Sequence, residues 1–395
     1  GGPGLAVRAA KVLTCAESGP QLVERGLVLV RDGKIEAVGG ADVEVPAGYE
    51  QVDVGASWLM PGMVDLHSHI GGTFDINDTV LQANPGLRVH VAVVPSNPQL
   101  ELALAAGVTT VLFIPGSGTT VGGEGVLLKT GFERYEDMLV RNPGSLKIAQ
   151  ADNPKAWGYR MQRGMLNWTI REVLRRGAAY AERWRAFEAG AGERPHVDPQ
   201  FEVFRHLVAG EAQVSAHTQV LQVVLASIDI VKVELGLPLF IDHGTFDSYL
   251  IADVAERAGV PAILGPRIVN SQNLGRGIDV DGRFDGVAAR FQQSGHTAIG
   301  FNTDAPVVPA EELPLQAAMG VRYGFDDRQL DTVRGLTIVP ARTAGIAGRV
   351  GSLEPGKDAD LVVVTGHPAD PRSWVERVWI EGRLEYAVPR DGRRW

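Results

Sequence analysis

The sequence predicts an α/β protein whose main body is a (β/α)8 barrel of the TIM type, joined to a small discontinuous β-sandwich built from both ends of the chain. Three observations support this fold class. Apolar strand-like runs alternate with amphipathic segments of helical length through the middle of the chain. Short strand-like runs crowd both ends. The length of 395 residues suits a barrel of roughly 250 residues with a minor second domain.

The domain boundaries follow from these patterns. Near the start, an Asp32-Gly33 pair separates two alternating apolar runs, which is typical of a β-hairpin. Near the end, Glu381-Gly382 occupies a similar position between two strand-like runs. We therefore expect the β-sandwich to consist of residues 1–57 and 349–395, and the barrel to occupy residues 58–348.

Seven apolar runs are the predicted barrel strands: Leu59 to Leu66, Thr109 to Ile114, Leu146 to Ala149, Val214 to His217, Leu239 to His243, Pro261 to Leu264 and Thr297 to Phe301. A closed barrel needs eight strands. We place the eighth at Gly125 to Lys129.

Two histidines separated by one residue stand at the end of the first run, in Pro61-Gly62-Met63-Val64-Asp65-Leu66-His67-Ser68-His69. Side chains alternate faces along a strand, so His67 and His69 point the same way and can hold one ion. Without such a role, two buried imidazoles in an apolar run would be costly. Two imidazoles do not complete a zinc site, so further ligands must come from elsewhere in the chain.

Three other polar residues stand at or just beyond the ends of predicted strands, namely His217, His243 and Asp304. Each has a simpler explanation when taken alone, as a core histidine or as the aspartate of a turn. The carboxyl ends of barrel strands meet at one mouth, however, so these residues can converge with His67 and His69. Neighbouring carboxylates could fix the imidazole tautomers. Asp65 is one candidate, and Asp242 is another although it should alternate away from His243.

Lys147 lies in the short apolar strand Ser145-Leu146-Lys147-Ile148-Ala149. Its side chain either extends to the rim or is chemically changed, because an ammonium group cannot bind a cation. Lys129 and Lys155 are rivals for this position or substrate-facing cations. Lys155 and Arg160 follow the Lys147 strand and could bind a substrate carboxylate, unless their segment only closes over the barrel.

Composition excludes several classes of function. The net charge of −9 and the absence of long basic runs argue against nucleic acid or an anionic membrane as a partner, so we expect a small-molecule or dipeptide-like substrate. Cys15 is the only cysteine, which excludes an internal disulfide and is compatible with the cytoplasm. The chain starts at Gly1 without Met, so a removed amino-terminal signal stays an alternative.

The order of the candidate residues resembles that of the metal-dependent amidohydrolase superfamily. The resemblance rests on the HxH pair, the middle-strand lysine, the two later histidines and the late aspartate. Pro61-Gly62 and Gly351-Ser352-Leu353-Glu354-Pro355-Gly356-Lys357-Asp358-Ala359-Asp360 frame them. Within the superfamily, the chain is similar to the imidazolonepropionase-related branch, which includes dipeptidases of the prolidase type. The likeness runs from about Val7 to about Val388.

This resemblance implies a metal-dependent hydrolase that cleaves a linear or cyclic C–N bond with a metal-activated water, a dipeptidase being one form. It implies one or two divalent ions, with zinc expected. The implied ligands are His67, His69, Lys147, His217, His243 and Asp304, with Lys147 carbamylated and bridging. Asp304 would also transfer protons, and His243 would stabilise the oxyanion if it does not hold a second ion.

Three alternatives remain open at this point: a heterocycle deaminase, an imidazolonepropionase-like ring hydrolase and a metal-free scaffold protein. Thr218-Gln219-Val220 after His217 lacks the glutamate usual in related deaminases. Gly244-Thr245 after His243 lacks the acidic neighbour that the imidazolonepropionase pattern suggests. Similar enzymes commonly form dimers or larger assemblies, so a homo-oligomer is also an expectation.

Overall fold

The computed structural model describes residues 4–150, 153–157, 160–266, 269–271 and 284–394. The strands are, in chain order, β1 (Leu5–Arg8), β2 (Lys11–Leu13), β3 (Leu22–Glu24), β4 (Leu27–Arg31), β5 (Lys34–Gly39), β6 (Glu50–Asp53), β7 (Trp58–Pro61), β8 (Met63–Ser68), β9 (Val108–Phe113), β10 (Val121–Lys129), β11 (Leu139–Ala149), β12 (Gln213–Thr218), β13 (Leu239–His243), β14 (Ala262–Leu264), β15 (Val269–Ser271), β16 (Phe284–Gly286), β17 (Ile299–Phe301), β18 (Leu361–Val364), β19 (Val375–Ile380) and β20 (Arg383–Ala387).

The α-helices in the described residues are α1 (Pro98–Ala105), α2 (Tyr135–Met138), α3 (Asn153–Trp157), α4 (Arg163–Glu188), α5 (Val203–Val208), α6 (Leu221–Ser227), α7 (Ala252–Arg257), α8 (Val287–Gln293), α9 (Leu313–Arg322), α10 (Asp331–Leu336), α11 (Ile338–Thr343) and α12 (Val388–Asp391). A π-helical segment, Ile228–Glu234, continues α6. No helix in this part of the chain combines the length and the apolar character needed to cross a membrane.

Eight strands form one sheet in the order β17-β14-β13-β12-β11-β10-β9-β8. The two edges approach each other through a parallel bridge between Ser68 and Ala305, and the His69 backbone N–H donates to the Ala305 carbonyl at 2.7 Å. The sheet is therefore a nearly closed barrel, which confirms the predicted fold class. Its strands are almost entirely buried, as expected when helices cover a barrel on the outside.

The predicted eighth strand lies in this sheet but differs from the expectation in direction. β10 pairs antiparallel with both β9 and β11, whereas the remaining pairs in the sheet are parallel. The reason is the connection, because only residues 114–120 separate β9 from β10. A parallel crossover needs a dozen or more residues, while an antiparallel return does not.

The predicted run Leu59 to Leu66 is also two strands rather than one. β7 pairs with β2 and β18 in a different sheet, and β8 enters the barrel after Gly62. Gly62 is tightly enclosed, since a Cβ built on it would lie 2.0 Å from the hydroxyl oxygen of Thr109. A side chain at this position would therefore push β8 away from β9.

Strands from both ends of the chain form the two remaining larger sheets, one of four strands (β5-β4-β1-β6) and one of six (β20-β19-β18-β7-β2-β3). A common apolar core that includes Val7, Val28, Leu59, Leu361 and Trp379 lies between them. The exact domain boundaries at 57/58 and 348/349 stay predictions.

Both predicted hairpin turns are confirmed. Asp32 and Gly33 have φ angles of 50° and 77° between β4 and β5, and Glu381 and Gly382 have φ angles of 48° and 74° between β19 and β20. Positive φ at both central residues is the type I′ turn, which suits the twist of a two-residue hairpin and explains the glycine in second place.

A buried charge cluster links the barrel to the carboxyl-terminal strands. Lys129, at the end of β10, is 1% exposed. Its Nζ lies 2.9 Å from Oδ2 of Asp358 and 2.6 Å from Oδ2 of Asp360. Burial alone would lower the pKa of Lys129, but the two carboxylates outweigh it and raise the pKa. Lys129 is therefore a structural cation, and its alternative assignment as a site lysine is wrong.

We expect Lys129→Met to lower the free energy of unfolding by about 3–5 kcal/mol, because it leaves two buried carboxylates without their shared cation. Denaturant unfolding followed by circular dichroism measures this change. Lys34→Met is the matched control, since Lys34 pairs with the same Asp358 but its side chain is 51% exposed. The control should cost less than about 1 kcal/mol. Equal losses in the two variants would contradict the cluster's role.

Candidate metal centre

All six side chains that the sequence nominated as metal ligands lie together at the carboxyl ends of the barrel strands. His67 lies near the end of β8, Lys147 in β11, His217 in β12 and His243 at the end of β13, while Asp304 follows β17 by three residues. The four histidines and Lys147 are buried, and the Asp304 side chain is 16% exposed. His69 follows β8 directly. The strand geometry thus gathers residues that are up to 237 positions apart in sequence.

The side chains form two overlapping groups that share His67. In the first group, Nε2 of His67 lies 3.2 Å from Nε2 of His69, and Oδ1 of Asp304 lies 3.0 Å and 3.3 Å from these two nitrogens. In the second group, Nε2 of His243 lies 2.8 Å from Nδ1 of His217. Within each group of three, the candidate ligand atoms lie within 4.8 Å of one another.

Oxygen atoms behind three of the rings fix which nitrogen faces the centre. Nδ1 of His69 lies 2.9 Å from the Ile114 carbonyl, and Nδ1 of His243 lies 2.8 Å from the Gly265 carbonyl. Nδ1 of His67 lies 2.6 Å from Oδ2 of Asp242. Carbonyl and carboxylate oxygens only accept, so each Nδ1 carries the hydrogen and each Nε2 directs a lone pair toward the centre.

Asp242 is the residue that strand alternation left in doubt, and it faces the centre. Besides contacting His67, its Oδ2 accepts a hydrogen bond from Ser215 at 2.9 Å and lies 3.3 Å from Nζ of Lys147. The alternation fails because His243 has a φ of 77°, in the left-handed region. The chain turns there, so the side chains of both Asp242 and His243 reach the same space.

Ser215 was missed by sequence reasoning. It lies two residues before His217 in β12, so period-two alternation places both on one face of the strand and could have identified it.

Asp65 was a candidate for fixing an imidazole tautomer, but it has other partners. Within the described residues, its carboxylate accepts from the His67 backbone N–H and the Thr303 hydroxyl rather than from an imidazole. Burial raises the pKa of Asp65 to about 7.

Burial also sets the charge of the centre. It lowers the pKa of His217 well below the usual value and that of His243 to about 4, so both rings are neutral at pH 7. Burial lowers the pKa of Lys147, and the carboxylates of Asp242 and Asp304 only partly offset this. For Asp304, burial would raise the pKa, but the charge of His67 and hydrogen bonds from His67 and His69 outweigh it, so the pKa lies well below its usual value and the carboxyl group stays ionised.

The chemistry of this donor set fits a divalent cation. Imidazole nitrogens and an ionised carboxylate converge, as divalent zinc sites require. Nε2 of His217 is buried and has no hydrogen-bond partner among the described residues, which is costly unless an ion accepts its lone pair. The arrangement of the six side chains is therefore consistent with the ligand set expected from the sequence, and their roles as ligands stay a prediction.

The predicted substrate-binding residues lie in the segment after β11. Lys155 lies half-buried in α3, and Arg160 is exposed with a φ of 52°. Asn153, at the start of α3, donates to the hydroxyl of Ser117 at 2.7 Å, so this helix packs on the loop that follows β9. A substrate role for Lys155 and Arg160 stays a prediction.

A barrel with imidazole and carboxylate donors at its carboxyl-terminal mouth is the architecture of a metal-dependent hydrolase. Comparison with known proteins gives this class a family. The model of the amidohydrolase family matches residues 294–384. The crystal structure of an amidohydrolase from Thermotoga maritima MSB8 is 31% identical, with a TM-score of 0.82, and the match covers 97% of this chain and 100% of that one. The chain belongs to the amidohydrolase family, and it is a hydrolase of carbon–nitrogen bonds.

Other relatives are more distant. An imidazolonepropionase from Rhizorhabdus wittichii is 27% identical over 90% of this chain and 92% of its own length. Amidohydrolase tasK from Hapsidospora irregularis is 27% identical over 94% of this chain, which spans only 40% of that protein's length. A crystal structure of a prolidase complexed with N-methylphosphonate-L-proline shares the fold with a TM-score of 0.60 at 18% identity.

We expect Asp242→Asn to weaken metal binding by about 10–100-fold, because an amide can present its N–H₂ to His67 and no longer fixes the ring tautomer. Competition with a chromophoric chelator measures the affinity. Asp253→Asn is the control, since Asp253 is an exposed α7 residue that pairs with Arg257. Unchanged affinity in Asp242→Asn would show that this carboxylate does not orient His67.

Proposed function

We propose that this hydrolase cleaves the amide bond of a dipeptide-like or N-acyl amino acid substrate with a water molecule activated at the centre. The observation that carries the proposal is the pair of ligand groups that share His67, with the buried Lys147 beside them. When bound, one or two divalent ions, zinc in this proposal, lower the pKa of a water and polarise the scissile carbonyl.

The protein side chains have separate roles in this proposal. His67, His69 and Asp304 hold one ion, and His217 and His243 hold a second. With a single ion, His243 instead stabilises the negative charge on the carbonyl oxygen. The ionised carboxylate of Asp304 accepts the proton of the attacking water and then delivers it to the leaving nitrogen. Its exposure of 16% supports this role, because a proton acceptor must be reachable from the mouth.

Lys147 bridges the two ligand groups as a carbamate in this proposal. Its neutral amine forms an N–C bond to carbon dioxide, one C–O π pair moves to oxygen, and the released proton leaves to solvent. The product is an anion with two oxygens. Complete burial supports the neutral amine on which this reaction depends, and Nζ lies 3.5 Å from Nε2 of His67.

The rim supports a substrate with an apolar group and a carboxylate. The ring of Phe74 is 64% exposed and stands perpendicular to the His69 ring, with 6.4 Å between ring centroids. An exposed phenyl ring beside a ligand histidine offers apolar contact to a bound side chain. Lys155 and Arg160 provide cations for the substrate carboxylate, in a segment that follows the Lys147 strand.

A cyclic amide is the second candidate substrate. It is favoured by the imidazolonepropionase relative, which matches nine-tenths of this chain, whereas the linear substrate is favoured by the prolidase fold and the presence of Lys147. Both reactions hydrolyse a C–N bond, so they differ only in whether the two products stay joined. Substrate profiling separates them directly.

We expect metal removal to abolish hydrolysis and zinc to restore it, and we expect His67→Asn to lower kcat/KM by about 10³-fold or more. The assay measures amine release from zinc-loaded enzyme with dipeptides, N-acyl amino acids and lactams. His206→Asn is the control, because His206 is a half-exposed surface histidine that contacts Glu211.

The same panel tests the substrate features. Dipeptides with an apolar side chain should react faster than acidic ones, and carboxyl-terminal amides should show a raised KM. If only lactams are hydrolysed, the cyclic amide becomes the proposed substrate in place of the linear one. Full activity after verified metal removal would overturn the proposal.

We expect Lys147→Ala to lose activity and to bind fewer ions, with partial recovery when a short carboxylic acid such as propionate is added to fill the space of the carbamate. Metal content by atomic spectroscopy and kcat with and without propionate are the measurements. A loss of activity with unchanged metal content and no recovery would instead assign Lys147 to an ion pair with Asp242.

A further inference from the structure

A second cavity lies at the opposite ends of the strands that carry the candidate metal centre. Its volume is about 730 Å³. Gln213, Leu239 and Ile299 line it, and these are the first residues of β12, β13 and β17. The candidate ligands lie at the other ends of these strands. We call this space the lower cavity. It is separate from the mouth at which barrel enzymes hold their reacting groups.

The wall of the lower cavity is rich in cations although the whole chain is acidic. Lys232, Arg334 and Arg342 line it together with one carboxylate, Asp331. Arg342 pairs with Glu17 at 3.0 Å. Arg334 donates to the neutral amide oxygen of Gln21 at 2.9 Å. The amide oxygen of Gln21 carries no charge, so this hydrogen bond does not compensate the positive charge of Arg334.

Lys232 has no ion pair or hydrogen bond with the described part of the chain. Three cations therefore line the cavity with the single lining carboxylate of Asp331, while Glu17 and Glu256 contact lining residues from outside it. Within the lining the cations outnumber the carboxylate, so an anionic group on a ligand is attracted to Lys232 and Arg334. Burial raises the pKa of Asp331, and the charge of Arg334 only partly offsets this.

The remaining wall is apolar. Leu239, Ile299, Phe325 and Val339 line the cavity, and several of them are buried in the barrel core. A simple inorganic anion would leave this apolar surface in contact with water, whereas an organic anion would cover it. His296 also lines the cavity and is 3% exposed, and burial lowers its pKa, so it adds no charge at pH 7.

We propose that the lower cavity is a second binding site, for an organic monoanion with an apolar body such as an aromatic or branched carboxylate. Arg334 and Lys232 hold the anionic group, and the apolar wall holds the body. The site has no candidate metal ligand from the centre among its lining residues, so binding there is independent of metal. This inference does not rest on the proposed substrate.

The test uses 8-anilinonaphthalene-1-sulfonate, a fluorescent organic monoanion, titrated into the zinc-loaded chain of 395 residues. We expect one saturable site whose affinity falls by about tenfold in Arg334→Gln, because a charged hydrogen bond to the anion is lost. Lys232→Gln should weaken binding in the same direction, and it keeps the proposal testable if Arg334→Gln does not fold. Benzoate should displace the probe, whereas benzyl alcohol, its uncharged analogue, should not.

Two controls separate this site from others. Arg183→Gln alters a different arginine-rich groove, beside α4, and should leave the affinity unchanged. Removal of zinc with a chelator should also leave it unchanged, since the metal centre is at the other end of the strands. Equal affinity in wild type, Arg334→Gln and Lys232→Gln would overturn the proposal. It would also be overturned if benzyl alcohol displaced the probe as effectively as benzoate, or if the probe no longer bound after zinc was removed.

Discussion

The buried carboxylate of Asp242 is the contact on which the arrangement of the candidate centre depends. Its Oδ2 lies 2.6 Å from Nδ1 of His67, 2.9 Å from the Ser215 hydroxyl and 3.3 Å from Nζ of Lys147. Side chains from four strands of the barrel sheet, β8, β11, β12 and β13, thus meet at Oδ2 of Asp242. A charge this deeply buried persists only when cations and donors surround it.

This contact also explains why the rings of the centre are preorganised. Nδ1 of His67 lies 2.6 Å from Asp242, and backbone carbonyls accept from Nδ1 of His69 and His243. The lone pairs that remain converge among buried side chains, where they repel unless a cation lies between them. Two residues of the centre, His243 and Asp304, have φ angles of 77° and 53°, in the left-handed region. Surrounding packing must hold that strain, and its place at the centre agrees with a functional role.

The barrel connects this centre to the rest of the molecule in two directions. Along the strands, β12, β13 and β17 run from the lower cavity to the candidate ligands within a few residues. Across the sheet, Lys129 at the end of β10 joins Asp358 and Asp360, which precede β18. The sheets built from both chain ends are therefore tied to the barrel by buried charge as well as by apolar packing.

The sequence by itself determined the barrel, the hairpin turns and the convergence of His67, His69, His217, His243 and Asp304, because strand period and strand ends are local properties. Lys147 was singled out as a ligand by the resemblance to the amidohydrolase superfamily, because its strand pattern alone left other lysines open. Only the tertiary structure decided that β10 runs antiparallel, that Asp242 faces the centre and that Lys129 is a structural cation. Direction in a sheet depends on the length of a connection, the turn at His243 depends on one backbone angle, and the Lys129 cluster joins residues more than 200 positions apart. The last two are not encoded in a local pattern, and the first follows only once the ends of β9 and β10 are known.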